Sequence, residues 1–188
     1  MKEIKKVNGM LGVHCENGDL VDELIQSYVS QGKLAPHYHP LSRPAAVEAE
    51  AVARYLMIAE MADLPVNIVH LSTKRSLEAV ERARQRGQSV YVETCPQYLL
   101  LDDHLYDAPN FEAAKYVCSP PLRKREDQQA LWQGIKEGAI NTISTDHCSF
   151  NFHGQKTVGK DDFSKIPNGM PGVETRPELI YTEGVAKG

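Results

Sequence analysis

The chain has 188 residues, 41% of them hydrophobic and 24% charged, an ordinary composition for a globular domain with one core. That length excludes a complete eight-fold βα barrel, which typically needs about 250 residues. A net charge of -4 and a pI near 6.0 leave no electrostatic case for nucleic acid or for an anionic membrane surface.

Residues 7–13 form an apolar run broken by Asn8, Gly9 and Gly12, too short for the core of a signal peptide. No run approaches the roughly 18 apolar residues of a membrane-spanning helix. Cys15, Cys95, Cys118 and Cys148 are scattered with no CxxC pair, which argues against a zinc knuckle or disulfide framework. The expectation is a cytoplasmic chain with reduced thiols.

In chain order, Met10–Cys15 reads as a first strand, which begins abruptly with no element of its own before it. Asn17-Gly18-Asp19 makes a turn, and Leu20–Val29 carries apolar residues at helical spacing. Ser30–Pro40, with two prolines, a glycine, His37 and His39, reads as a loop. A long helix over Ala45–Met61 follows, with Pro44 at its start and Val52, Leu56 and Ala59 on one stripe. Val66–Leu71 is the next strand, and Thr73–Arg86 is a helix facing inward with Leu77, Val80 and Ala83, stopped by Gly87. Val90–Thr94 is a third strand.

Cys95–Asn110 reads as largely loop, because Pro96, Asp102, Asp103 and Pro109 interrupt any period. Tyr116–Ser119 is a short extended piece before Pro120-Pro121. Arg125–Glu137 is a helix closed by Gly138, and Ile140–Thr145 is the fourth strand. A polar loop then runs to Gly172, and Pro177–Val185 begins another helix. Strand, loop and helix alternate without internal repeats, so parallel βα units are expected, amounting to about half a barrel.

Three of the four strands end in residues that bind metals or move protons. They are His14, His70 and Asp146. A divalent metal such as zinc takes neutral imidazole nitrogens and carboxylates from a rigid frame. Residues delivered to one end of parallel strands meet at the mouth of a barrel. These residues read either as metal ligands or as strand-end caps, and the pattern alone does not choose. Glu16 either orients His14 or caps the next helix. His147 is read as a loop histidine bonded to backbone rather than a partner of Asp146, and His37, His39, His104 and His153 as solvent-exposed. Cys95 and Cys148 have no base near them in sequence to make either a nucleophile. Ser119, held extended before two prolines, and Asn168, in the constrained turn Ile166-Pro-Asn-Gly-Met-Pro-Gly172, could present backbone groups to a ligand or simply form rigid loops. The glycines after Asp146 lack the strand–GxGxxG–helix order of a phosphate-binding fingerprint.

Six stretches together are more specific. Val13-His-Cys-Glu-Asn-Gly-Asp19, Ile68-Val-His-Leu-Ser72, Glu93-Thr-Cys-Pro-Gln-Tyr-Leu-Leu-Leu-Asp102, Lys115-Tyr-Val-Cys-Ser-Pro-Pro-Leu-Arg123, Thr145-Asp-His-Cys148 and Ile166–Gly172 closely resemble the hydantoinase/dihydropyrimidinase family of cyclic amidohydrolases. The resemblance runs in register from about residue 7 to the end. It implies an α/β fold of the (β/α)8 TIM-barrel kind, of which this chain would hold strands five to eight with their helices. Residues 1–188 would then be an incomplete barrel domain, with the N-terminal half and a C-terminal tail absent.

The resemblance also implies two zinc ions bridged by hydroxide and a carboxylated lysine. His14 and His70 match ligands of one zinc, and Asp146 matches a ligand of the other that also shuttles the proton. Ser119 and Asn168 match positions whose backbone groups bind the ring imide. The implied reaction opens a small cyclic diamide, a hydantoin or dihydropyrimidine, to an N-carbamoyl amino acid. No nucleic-acid or membrane partner is implied, and a homo-oligomer, commonly a tetramer, is.

The family's leading His-x-His pair, its carboxylated lysine and a substrate-polarising tyrosine have no counterpart in this sequence. His37-Tyr-His39 stands in the wrong context to replace the pair. Inactivity of the isolated chain is therefore expected. The alternatives are a scaffold or binding relative without metal, and a truncated remnant. Keeping His14, His70 and Asp146 together argues against the scaffold.

Overall fold

The structure, a computed structural model, describes residues 1–187. Four parallel strands form one sheet in the order β1 (Leu11–Val13), β2 (Val66–Ile68), β3 (Val90–Thr94), β4 (Thr142–Ile143). The register pairs Leu11 with Val66, Val66 with Val90, and Glu93 with Thr142. Each strand therefore pairs with the next in sequence, and the order never reverses. That is the winding of a barrel wall; a doubly wound sheet would reverse at a switch point. β1 and β4 each have one neighbour, and both are shorter than the apolar runs that encode them. β2, paired on both sides, is as short as β1 and likewise shorter than its expected run Val66–Leu71.

Four long helices follow from the expected periodicities, the first of them Gly18–Ser30. Ala45–Ala62 buries Val52, Leu56 and Ala59, and Lys74–Gln85 buries Leu77, Val80 and Ala83. Arg125–Lys136 buries Leu131 and, at Gly134, runs close to its neighbours. A Cβ there would sit 2.8 Å from Leu77 Cδ2. Asn17 and Thr73 cap their helices by accepting from the N–H groups of Leu20 and Ser76. No helix among the described residues is long and apolar enough to cross a membrane.

The loops are more structured than their composition suggests. The expected loop Ser30–Pro40 gives way to a short helix, Tyr38–Leu41. The expected loop Cys95–Asn110 contains the helix Pro96–Leu100, which proline can begin because the first helical N–H needs no partner, and a 3-10 turn over Asp103–Asp107. Tyr98 and Tyr106 anchor these pieces in the core. Their hydroxyls donate to the carbonyls of Pro120 (2.8 Å) and Tyr116 (3.1 Å). Beyond β4, Phe163 and Ile166 are buried from what reads as a polar loop. The final segment is helical over Arg176–Ile180 and continues as a π turn over Tyr181–Ala186.

Candidate active site

His14, His70 and Asp146 lie just beyond the C-terminal ends of β1, β2 and β4. Parallel β1 and β2 in matched register bring the two histidines together. His14 Nδ1 and His70 Nε2 are 2.9 Å apart, and the rings meet edge to face with centroids 4.7 Å apart.

Glu16 is almost wholly buried and sits behind them. Its Oε2 lies 3.2 Å from His14 Nε2 and 2.6 Å from Arg43 Nη1. Burial alone would raise the Glu16 carboxyl. The His14 hydrogen bond and the Arg43 and Arg123 charges outweigh it and hold the group below its usual range. Glu16 therefore orients His14 rather than capping a helix. A carboxylate on Nε2 orients the ring and turns Nδ1 toward His70, which is how a metal-binding histidine is held. His70 is pushed down from its ordinary pKa, first by burial and then by His14, so it stays neutral; the Asp146 charge opposes that shift. Its Nδ1 is buried with no hydrogen-bond partner among the described residues. Two imidazole nitrogens converging from rigid strand ends fit half of a tetrahedral zinc site.

Asp146 stands apart from this pair. It is exposed, and its charge is felt at His70, Glu93 and Cys95. Among the described residues, the group of three donors gathered within 4.8 Å is Asp102, Asp103 and His104, a surface cluster unrelated to the strand ends. The placement therefore brings His14 and His70 together and leaves Asp146 outside that pair. Both His70 (φ 40°) and Asp146 (φ 48°) adopt the left-handed backbone region, costly for residues other than glycine and typical of functional sites.

Ser119 and Asn168 are brought into contact across 49 residues of sequence, with Ser119 Oγ donating to Asn168 Oδ1 at 2.8 Å. Their own backbone N–H and C=O groups make no backbone hydrogen bond among the described residues. The flanking groups are tied down. Gly169 N–H donates to the Val117 carbonyl at 3.0 Å, and His39 Nε2 donates to the Cys118 carbonyl at 2.8 Å. Gly169 is required there: with φ 155° its Cβ would lie 2.8 Å from the Cys148 Cβ and closer still to the Cys148 carbonyl oxygen.

Of the histidines expected to be exposed, His37, His104 and His153 are, and His39 is not. His39 is 3% exposed, because the Tyr38–Leu41 helix turns it onto the Cys118 carbonyl. His37 remains accessible but pairs with Asp107 at 2.6 Å, a partner 70 residues away in sequence. His147 bonds backbone as expected, with its Nδ1 accepting from the N–H groups of Gly172 and Val173. Cys95 and Cys118 are buried thiols, Cys118 pushed up to about 12 and Cys95 higher still by burial and nearby anions, and neither is a nucleophile.

Sequence reasoning missed Glu93, Arg43 and Lys156. Glu93, at the end of β3, is raised by burial and by the charge of Asp146. Arg43 is paired with Glu16, and Lys156 is a buried cation close to Ser119 and Asn168. Arg43 and Lys156 lie outside the stretches that carry the resemblance; Glu93 opens one of them, but nothing in that stretch marked it as half-buried.

No family model matches the chain. It is 45% identical over 184 residues to a D-hydantoinase of Geobacillus stearothermophilus, covering 98% of this chain and 39% of that protein. It is 48% identical over 183 residues to a D-hydantoinase of Rhizobium radiobacter, covering 97% of this chain and 40% of the relative. The crystal structure of a dihydropyrimidinase from Brevibacillus agri superposes with a TM-score of 0.98 at 43% identity, over 100% of this chain and 41% of that one. The chain thus spans about two fifths of the length of the relatives it matches, and its sheet is part of a TIM-type barrel wall.

Proposed function

Because the chain belongs to the hydantoinase/dihydropyrimidinase family, matching about two fifths of its members' length, we propose that it forms part of the active site of a metal-dependent cyclic amidohydrolase. The substrate is a five- or six-membered cyclic diamide, a hydantoin or a dihydropyrimidine, and the product an N-carbamoyl amino acid. One observation carries the reading. His14 Nδ1 and His70 Nε2 converge to 2.9 Å from adjacent strand ends, with Glu16 on the far side of the first ring.

His14 and His70 would hold one zinc ion, and Asp146 a second. Bound zinc supplies a water acidic enough to ionise near neutral pH. Asp146, exposed at the mouth, takes a proton from the attacking water and returns it to the departing ring nitrogen, so that the C–N bond breaks without a free amide anion. The backbone N–H and C=O groups of Ser119 and Asn168 receive the complementary groups of the ring imide. Their lack of partners within the chain supports that role.

The other ligands of a two-zinc site, a His-x-His pair and a carboxylated lysine in the resembling enzymes, are not among these residues. The chain on its own is inactive under this reading, and the homo-oligomer, a tetramer in the family, is expected of a protein that holds the whole barrel. The test compares zinc content and the hydrolysis of dihydrouracil and hydantoin for this chain and for a polypeptide extended to a whole barrel. Two zinc ions and turnover in the extended protein alone support the proposal. An extended protein that binds no metal and opens neither ring refutes it and leaves a scaffold.

A further inference from the structure

Lys156 is 3% exposed, and its ammonium donates to three backbone carbonyls: Val117 at 2.8 Å, Pro167 at 2.7 Å and Gly169 at 2.9 Å. An ammonium has three N–H donors, so this set uses all of them. The three acceptors come from two segments far apart in sequence, one leading into Ser119 and the other flanking Asn168. Burying a cation on neutral carbonyls is expensive, and an apolar side chain could fill the same space without that cost. What the ammonium gives and an apolar residue cannot is a fixed distance between the two segments.

We propose that Lys156 is a positioning residue for substrate binding, clamping the 117–119 and 167–169 segments so that the backbone groups of Ser119 and Asn168 face the ring together. The proposal rests on the ring-hydrolysis reading above. Neither Ser119 nor Asn168 touches Lys156 directly, so the residue acts through the carbonyls on either side of them.

Burial pushes the Lys156 ammonium down to about 8, partly opposed by the Cys118 and Cys148 thiols. His39, buried and neutral, is the other titratable group that feels its charge. A neutral amine keeps two of the three N–H donors, so one carbonyl is released and the clamp loosens as pH rises through about 8.

The experiment uses the whole-barrel polypeptide of the preceding test, loaded with zinc, with Cys148→Ser in every protein to remove the thiol near Lys156. KM and kcat for dihydrouracil are measured from pH 6.5 to 9.5 for the parent, Lys156→Met and Lys156→Arg. In the parent, KM rises above pH 8 while kcat stays level. Lys156→Met raises KM about tenfold at neutral pH, with zinc content unchanged and no alkaline limb in KM, as expected when binding rather than chemistry is lost. Lys156→Arg, always charged, restores most of the affinity and also removes the limb. A parent KM that is flat to pH 9.5, or a Met variant with parental KM, overturns the proposal alone. The parent profile needs no substitution, so it decides the matter even if a variant fails to fold. A parent that opens no ring overturns the hydrolase reading and this proposal with it.

Discussion

His39 makes the chain acid-sensitive in a way that a single substitution can remove. The imidazole is 3% exposed and held by the Cys118 carbonyl. Burial is the largest influence on it and, against the Cys118 hydrogen bond, pushes its pKa from 6.5 down to about 4. The unfolded chain takes up a proton at His39 below about pH 6.5, and the folded chain does not until about pH 4. Stability from this group is therefore fully present above pH 6.5 and is lost as pH falls. At about 1.4 kcal/mol per pH unit the loss is about 2 kcal/mol by pH 5 and about 3 kcal/mol by pH 4. His39→Gln keeps an amide N–H for the Cys118 carbonyl and cannot ionise. Urea midpoints of both proteins, followed by circular dichroism between pH 7.5 and 4.5, should diverge, with the parent falling more steeply. Parallel curves across that range would refute the assignment of His39 as a buried neutral group.

Three further outcomes are expected. Glu16→Gln removes the carboxylate that fixes His14 and should weaken zinc binding by the assembled barrel about 10- to 100-fold in a chelator competition; affinity within twofold of parental, with the fold intact, would contradict the role given to Glu16. Arg123→Met strips the nearly buried Glu48 of its charge partner at 3.4 Å. That should destabilise by about 3–5 kcal/mol in urea titration, and a loss under about 1 kcal/mol would mean that the Ser72 and Thr73 donors suffice alone. Asp146→Asn in the extended protein should lower kcat about 10²- to 10⁴-fold while leaving KM nearly unchanged, and near-parental kcat would remove Asp146 from proton transfer.

The strands and long helices were legible because each rests on local periodicity. Val52, Leu56 and Ala59 repeat at helical spacing, and Val90 and Val92 alternate on one face of β3. The histidines at the ends of β1 and β2 were legible for the same reason, since parallel strands in register carry their C-terminal residues to one place. What the sequence concealed depends on backbone acceptors far along the chain. His39 finds a carbonyl 79 residues away, and Lys156 finds carbonyls 39, 11 and 13 residues away. A carbonyl belongs to every residue type and leaves no mark in a sequence. A histidine or lysine among prolines and polar residues therefore reads as solvated until the fold folds over it. The buried Tyr98, Tyr106 and Phe163 were hidden similarly, because one aromatic per short loop makes no period.

The backbone around His70 and Asp146 shows where the fold commits itself. His70 and Asp146 sit at φ 40° and 48°, a conformation costing of order 1–2 kcal/mol for each such residue. Neither would stay there unless its neighbours were fixed. Beside His70, Leu71 N–H donates to the Glu93 carbonyl at 2.7 Å and Thr94 Oγ1 donates to the Leu71 carbonyl at 2.8 Å. Glu48 then takes the N–H and hydroxyl groups of both Ser72 and Thr73. Beside Asp146, Ser144 N–H donates to the Thr94 carbonyl at 2.9 Å and Cys148 N–H to the Met170 carbonyl at 3.1 Å. Asn and Asp residues such as Asp63 and Asn110 also take positive φ, in the turns where that conformation is common for these residue types. The loop after His70 is bonded to β3 and to the buried Glu48, and Asp146 lies between a bond to β3 and one to Met170, which leaves the side chain, rather than the backbone, as the free end. A frame of that kind is what a metal or a proton-transfer step needs, because ligand positions that relaxed by an ångström would lose the geometry on which the chemistry depends.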